Sequence, residues 1–140
     1  MGKVQILAVL TIDGCLSSEL YDKAHQDLCL DRCGLDEIRK NALYRVTPDY
    51  SISMLHEWRK DGTNIRYLAE ATPDTADYIN GLLRMHAVDE IILYTVPFIS
   101  GSGRHFFKSA LPEQHWTLSS LKSYPNGVCR IIYILDKKAR

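Results

Sequence analysis

Three groups of residues in this sequence have types and spacing that could do chemistry. The first is Asp13-Gly14, an acid and a glycine closing the first apolar run. Taken alone, an Asp-Gly pair is turn chemistry. The second is Gly101-x-Gly103 with Arg104 and His105 behind it. By themselves the glycines read as a β-bulge or a turn that bends a strand away. Arg104 and His105 could contact an anionic ligand, although surface solvation explains them more simply. The third is His25, Cys29 and Cys33, whose steps of four put them on one helical face and suggest a metal site. Eight residues rise about 12 Å along a helix, so the three cannot hold one ion unaided. The expectation is no metal, with Cys29 and Cys33 packed as small apolar residues. His56, His86 and His115 have no evident Ser or Cys partner in the sequence, so a nucleophilic triad has no support. The tryptophans and tyrosines read as core and surface aromatics.

The elements that must position these residues alternate along the chain. Lys3 to Thr11 is a short Val/Ile/Leu-rich run stopped by Asp13-Gly14, which predicts a buried strand. From Ser17 or Ser18 to Cys33 a serine cap, early acids and Leu20, Ala24 and Leu28 at steps of four predict a helix ahead of Gly34. Leu43 to Val46 reads as a short strand ending before Pro48. Ser51 to Gly62 reads as a helix, with Ile52, Leu55 and Trp58 or Arg59 on one face. Asn64 to Ala69 is a strand. Thr72 is then a natural cap, Pro73 sits where its missing donor costs nothing, and Asp74 and Asp77 favour the positive end of a helix. Its apolar stripe is Ile79, Leu82, Leu83 and Met85 or His86. A long apolar strand follows, read as far as Ile99. Last, Pro125-Asn126-Gly127 joins two apolar runs into an antiparallel hairpin. The fold class expected is α/β: a mixed, mostly parallel sheet flanked by helices, with a C-terminal β-hairpin.

Composition narrows the function classes. With 140 residues, 46% hydrophobic, the chain suits a single domain, 1–140, with a real core. Its 17 basic and 17 acidic residues cancel, leaving no electrostatic footprint for nucleic acid or an anionic membrane. The first apolar run is too short for a membrane span and lacks a convincing cleavage site, so a cytoplasmic location is expected. Four cysteines at irregular spacing suggest reduced thiols rather than a disulfide framework.

The motifs taken together resemble the dihydrofolate reductase-like fold, in the branch that includes the reductase domain of bacterial riboflavin biosynthesis. The residues that carry the resemblance are "LAVLTIDGCLS", "LLRMHAVDEIILYTVPFISGSGRHFF" and the closing "SYPNGVCRIIYIL". Their order and spacing are more specific than any one of them. The resemblance implies that Gly101 and Gly103 line the cofactor or substrate cleft, where a missing side chain lets backbone donors approach a ligand. It implies that Asp13, with Gly14, lies at the substrate pocket, where a carboxylate fixes a polar edge by charge-assisted hydrogen bonds. Ala8 on the first strand would let the nicotinamide carboxamide reach the backbone.

Two departures from that pattern bear on the cofactor. Only about fifty residues separate Asp13-Gly14 from the strand at Asn64, about half of what the family usually has there. Where the family has a Gly-Gly turn, this chain reads "AEATPD", Ala69 to Asp74, placing a cap, a proline and acids at a helix end that would otherwise attract a pyrophosphate. Glu70 and Asp74 are expected to repel a phosphate. Two functions therefore stand side by side. One is an NADPH-dependent reductase of a small pterin-like or pyrimidine-like heterocycle, with Asp13 orienting the substrate. The other is a shortened, non-catalytic relative serving as a small-molecule binding or assembly domain. A homodimer through the sheet is expected, because the strand from Ile91 to Ile99 is apolar on both faces and needs cover.

Overall fold

The structure is a computed structural model that describes residues 2–16, 33–60, 64–99, 101, 105–108 and 111–136. The helix expected between Ser17 and Cys33 falls almost wholly outside these residues. The described elements run β1 (Lys3–Leu10), α1 (Leu35–Asn41), β2 (Tyr44–Arg45), α2 (Ile52–Lys60), β3 (Arg66–Glu70), α3 (Ala76–Arg84), β4 (Glu90–Thr95), β5 (Trp116–Ser123) and β6 (Cys129–Leu135). The six strands form one sheet in the order β2-β3-β1-β4-β6-β5. The pairs on either side of β1, and β2 with β3, are parallel, whereas β6 is antiparallel to β4 and β5 to β6. This is the mixed sheet with a terminal hairpin that the alternation of elements predicts.

The central strand β1 is apolar on both faces because both are covered. Val4, Ile6, Ala8 and Leu10 point into a core closed by Leu55 of α2 and by Ala76, Ile79, Leu82 and Leu83 of α3. Leu7 points the other way, into a second core with Leu35, Leu68, Ile92, Tyr94 and Val96. No described helix is long and apolar enough to cross a membrane.

Local chemistry explains where the helices begin and end. The Ser51 hydroxyl caps α2 by accepting the Met54 N–H at 3.2 Å. The turn ahead of α3 is closed by reciprocal threonine bonds. Thr72 Oγ1 accepts the Thr75 N–H (3.2 Å), and Thr75 Oγ1 accepts the Thr72 N–H (2.8 Å). The expected start, Thr72 as cap and Pro73 as first helical residue, is corrected: Thr72–Thr75 form a separate turn, and α3 starts at Ala76 with Thr75 as its N-cap residue. At the far end His86, at φ 55°, takes the left-handed position usual for glycine, and the Ala87 N–H reaches back to the Leu82 carbonyl (2.9 Å).

One expectation is corrected. The strand read as far as Ile99 ends at Thr95. Pro97 lacks the N–H a further ladder bond needs, and the Phe98 N–H folds back onto the Val96 carbonyl at 2.8 Å. Ile99 is consequently exposed rather than part of a buried strand.

A fork between Arg59 of α2 and Asp89, just before β4, fixes α2 to the sheet: Nε and Nη2 donate to the two carboxylate oxygens at 3.0 and 2.5 Å. The same carboxylate accepts the Val4 N–H at 2.9 Å, tying the start of β1 to both.

Candidate functional site

The strand order places a reversal between β1 and β4. The strands that follow β1 lie to one side of it, and the strands that follow β4 lie to the other. In open α/β sheets, ligands bind outside the carboxyl ends of the strands at such a point. The segments leaving these two ends are Thr11–Leu16 and Val96–Ile99 with Gly101, which contain the acid and the first glycine singled out from sequence.

The exit of β1 is a tight turn. The Thr11 N–H donates to the Cys15 carbonyl at 2.8 Å and the Gly14 N–H to the Thr11 carbonyl at 3.0 Å, with Gly14 at φ 81°. That backbone conformation is one that glycine adopts without steric cost. The buried Thr11 hydroxyl accepts the Cys15 N–H at 3.0 Å and donates to Oδ1 of Asp13. The carboxylate is therefore oriented by its own turn. Its other oxygen, Oδ2, accepts the Gly101 N–H at 2.9 Å, with the Cys15 thiol 3.7 Å away. The two exits are bound together elsewhere as well, the Ile12 N–H donating to Phe98 O (2.7 Å) and the Val96 N–H to Leu10 O (2.9 Å).

A third segment, His105–Lys108, completes the surroundings. Cys15 and His105 form an isolated antiparallel bridge, and the Phe106 N–H donates to the Gly14 carbonyl at 3.2 Å. A Cβ added at Gly14 would lie 3.7 Å from the His105 ring, so the imidazole stands against the Asp13-Gly14 turn. The segment is held from below by Asn80 of α3, which is fully buried. Its Nδ2 donates to Ala76 O and Phe106 O, both at 2.8 Å, and its Oδ1 accepts the Lys108 N–H at 3.0 Å.

The structure thus brings Asp13, Gly14 and Gly101 together. Gly101 needs its glycine for its φ of 74°, because a Cβ there would meet no atom within 4 Å. Its N–H, however, is engaged by Asp13 rather than left for a ligand. Gly103 and Arg104 lie outside the described residues. Ala8 is fully buried in mid-strand, and the alternation of ladder bonds turns its peptide groups towards β4. The next residue, Val9, turns its peptide groups towards β3, whose register with β1 ends at Leu7 and Glu70. Among the described residues no three His, Cys, Asp or Glu side chains gather as metal ligands. Cys33 is buried, while His25 and Cys29 lie outside the described residues. Sequence reading missed Thr11 and Asn80. A polar residue inside the apolar stripe of α3 was the available signal for Asn80.

The helix end at "AEATPD" can be tested against a pyrophosphate. Pro73 has no N–H, the Thr75 N–H is taken by Thr72 Oγ1, and Asp74 is exposed in the same turn. These residues do not fit an anion there. The part of the repulsion assigned to Glu70 is corrected. Its carboxylate pairs with Arg39 of α1 and, at 3.2 Å, with Arg45 of β2, so it does not stand there as an uncompensated charge.

No protein-family model matches the chain, and no curated protein sequence does. Solved structures do. A protein assigned to riboflavin biosynthesis from Shewanella sp. PV-4 matches with a TM-score of 0.59 and 11% identity over 96% of this chain and 99% of that one. A pyrimidine reductase-like protein from Corynebacterium diphtheriae matches at 0.56 and 12% over 96% and 92%. Dihydrofolate reductase from Enterococcus faecalis, complexed with NADP(H), matches at 0.58 and 11% over 96% and 97%. The chain has the dihydrofolate reductase-like fold, and identities this low speak to the fold alone.

Proposed function

We propose that this chain is a reductase of a small pterin-like or pyrimidine-like heterocycle that uses NADPH and holds it weakly, acting in the cytoplasm as a homodimer. The observation that carries the reading is the position of Asp13. It stands at the reversal between β1 and β4 with both carboxylate oxygens oriented, one by Thr11 and one by Gly101. An ionised carboxylate offers about four lone-pair sites, so a fixed one can read a donor-rich heterocycle edge. Gly14 lets that edge come close to the backbone. Gly101 and Gly103 are assigned to the cofactor side; Ala8 is not, because its peptide groups are turned towards β4 and leave none for a carboxamide. The names of the solved neighbours, a pyrimidine reductase-like protein and a dihydrofolate reductase complexed with NADP(H), support the same class.

A second reading is favoured by the turn ahead of α3. Because Thr72, Pro73 and Asp74 do not fit a pyrophosphate, the chain could instead be a non-catalytic member of the fold that binds a small molecule or supports an assembly. NADPH titration followed by fluorescence or calorimetry separates the two. The reductase reading expects saturable binding weaker than ~100 μM, near 5.5 kcal/mol, together with NADPH oxidation in the presence of a heterocycle. Absence of saturation and of turnover selects the binding module. Saturation at low micromolar NADPH contradicts the misfit at the helix end.

A further inference from the structure

We infer that Arg130 and Lys122 form a binding site for a phosphate group on the sheet face that α1 covers, apart from the Asp13–Gly101 segments. Arg130 of β6 lies between Tyr94 of β4 and Lys122 of β5 in the ladder register. Two cations directly opposite each other in an antiparallel pair destabilise it unless something offsets their repulsion. No ion pair of the described residues includes either cation. Nor is the Arg130 guanidinium simply displayed to water. Its Nε is buried without a hydrogen-bond partner, and a Cβ added at Gly34 would come within 3.0 Å of its Nη1. Gly34 is at φ 84°, so close backbone packing against the guanidinium is part of how that turn is built.

The neighbouring hydroxyls touch this charge without neutralising it: the Tyr94 oxygen accepts from the Arg130 guanidinium, and neither phenol carries a negative charge. The Tyr94 and Tyr124 hydroxyls each donate to the Cys33 carbonyl at 2.8 Å, which engages the single proton each has. Burial pushes the Tyr94 phenol up to about 12, so it stays neutral near neutral pH and cannot serve as a counter-anion. Lys122 Nζ lies 5.3 Å from the centre of the ring of Tyr124, whose hydroxyl shares the Cys33 carbonyl with that of Tyr94. The result is a partly enclosed guanidinium fork and an ammonium, with acceptor-bearing phenols beside them and no carboxylate among their described partners. Arg130 is half-buried and Lys122 exposed, but the Arg130 Nε is buried without a partner, and buried polar atoms are ordinarily hydrogen-bonded. A phosphate dianion matches both the fork geometry of arginine and the combined charge of the two cations.

The test uses the full chain and needs neither NADPH nor turnover, so its outcome is independent of the reductase reading. Thermal unfolding is followed at pH 7.5 while inorganic phosphate is titrated against potassium chloride of equal ionic strength. The expected result is a saturable rise in Tm with phosphate and none with chloride. Arg130→Met should abolish the rise, and Lys122→Gln, on an exposed edge strand, should weaken phosphate by about fivefold. An equal rise with chloride, no rise with phosphate, or a rise unchanged in the variants overturns the site. If Arg130→Met does not fold, Lys122→Gln decides alone: unaltered phosphate affinity sinks the proposal.

Discussion

The Gly101 N–H donates to Oδ2 of Asp13 across 2.9 Å, joining residues 88 positions apart at the carboxyl ends of two adjacent parallel strands. Asp13 therefore holds the exit of β4 in place as well as offering a carboxylate at the site. Asp13→Ala should destabilise the protein by about 1–3 kcal/mol, the range for removing a charged acceptor from its donors. Hydrogen exchange at the Gly101 amide should accelerate while amides in mid-β1 stay protected. Unchanged exchange at Gly101 would show that the bond does not hold that segment.

Asn80 does for the third segment what a strand partner would, satisfying the Phe106 carbonyl and the Lys108 N–H from inside the core. Asn80→Leu keeps the approximate volume and leaves buried backbone groups unsatisfied. The expected cost is about 2–4 kcal/mol in chemical denaturation, with the His105–Lys108 segment losing protection first. A loss below half a kcal/mol on that scale would mean that the clamp is replaceable by water.

The raised Tyr94 phenol makes a pH prediction with a definite sign. The unfolded chain titrates this group near 10.0 and the folded chain near 12, so the unfolded state loses the proton first as pH rises. Stability from keeping the phenol neutral is fully present below pH 10 and is lost between pH 10 and 12. Tyr94→Phe should cost about 1 kcal/mol at pH 8 through the lost bond to the Cys33 carbonyl, and it should flatten the alkaline limb of the stability profile. A variant with the same alkaline slope as the parent would assign that limb to another group.

Leu118 and Leu121 of β5 are 51% and 63% exposed, beside Tyr133 and Ile131 of β6 in the pairing register. The sheet therefore carries an apolar strip at its β5 edge, as the dimer proposal requires, although β4 ends at Thr95 and contributes less apolar surface than a strand to Ile99 would. Light scattering at micromolar concentration should give a mass near twice the 16.0 kDa of the chain. Burial of about 800 Å² per chain is enough for a stable symmetric contact. Leu118→Lys with Leu121→Lys should return the monomer mass without loss of folded signal. A parent that already scatters as a monomer over the dilution range excludes the pairing.

Local signals were legible because their partners lie within a few residues. Ser51 caps α2 through a donor three positions away, and the Thr72 hydroxyl likewise closes its own turn. Asn126 turns the terminal hairpin by accepting the Val128 N–H at 3.2 Å, with Gly127 at φ 91°. Such contacts cost little chain entropy and depend on residue type alone. Alternating apolar runs and caps therefore determined the order of elements and the mixed sheet. They also placed Asp13-Gly14 and Gly101 after strands, but not beside each other.

Tertiary structure decided which distant groups meet. Glu70 reads in sequence as a charge opposing phosphate, and folding pairs it with Arg39 and Arg45, 31 and 25 positions away. Asn80 looks like an ordinary helix residue until the chain returns 26 positions later to use its amide. Arg130 and Lys122 face each other only because β5 and β6 pair in one particular register. In each case the physical cause is the same. Charge and hydrogen-bonding capacity belong to a residue, whereas the sign and strength of their effect depend on the neighbours that packing brings within a few ångströms, which sequence spacing does not encode.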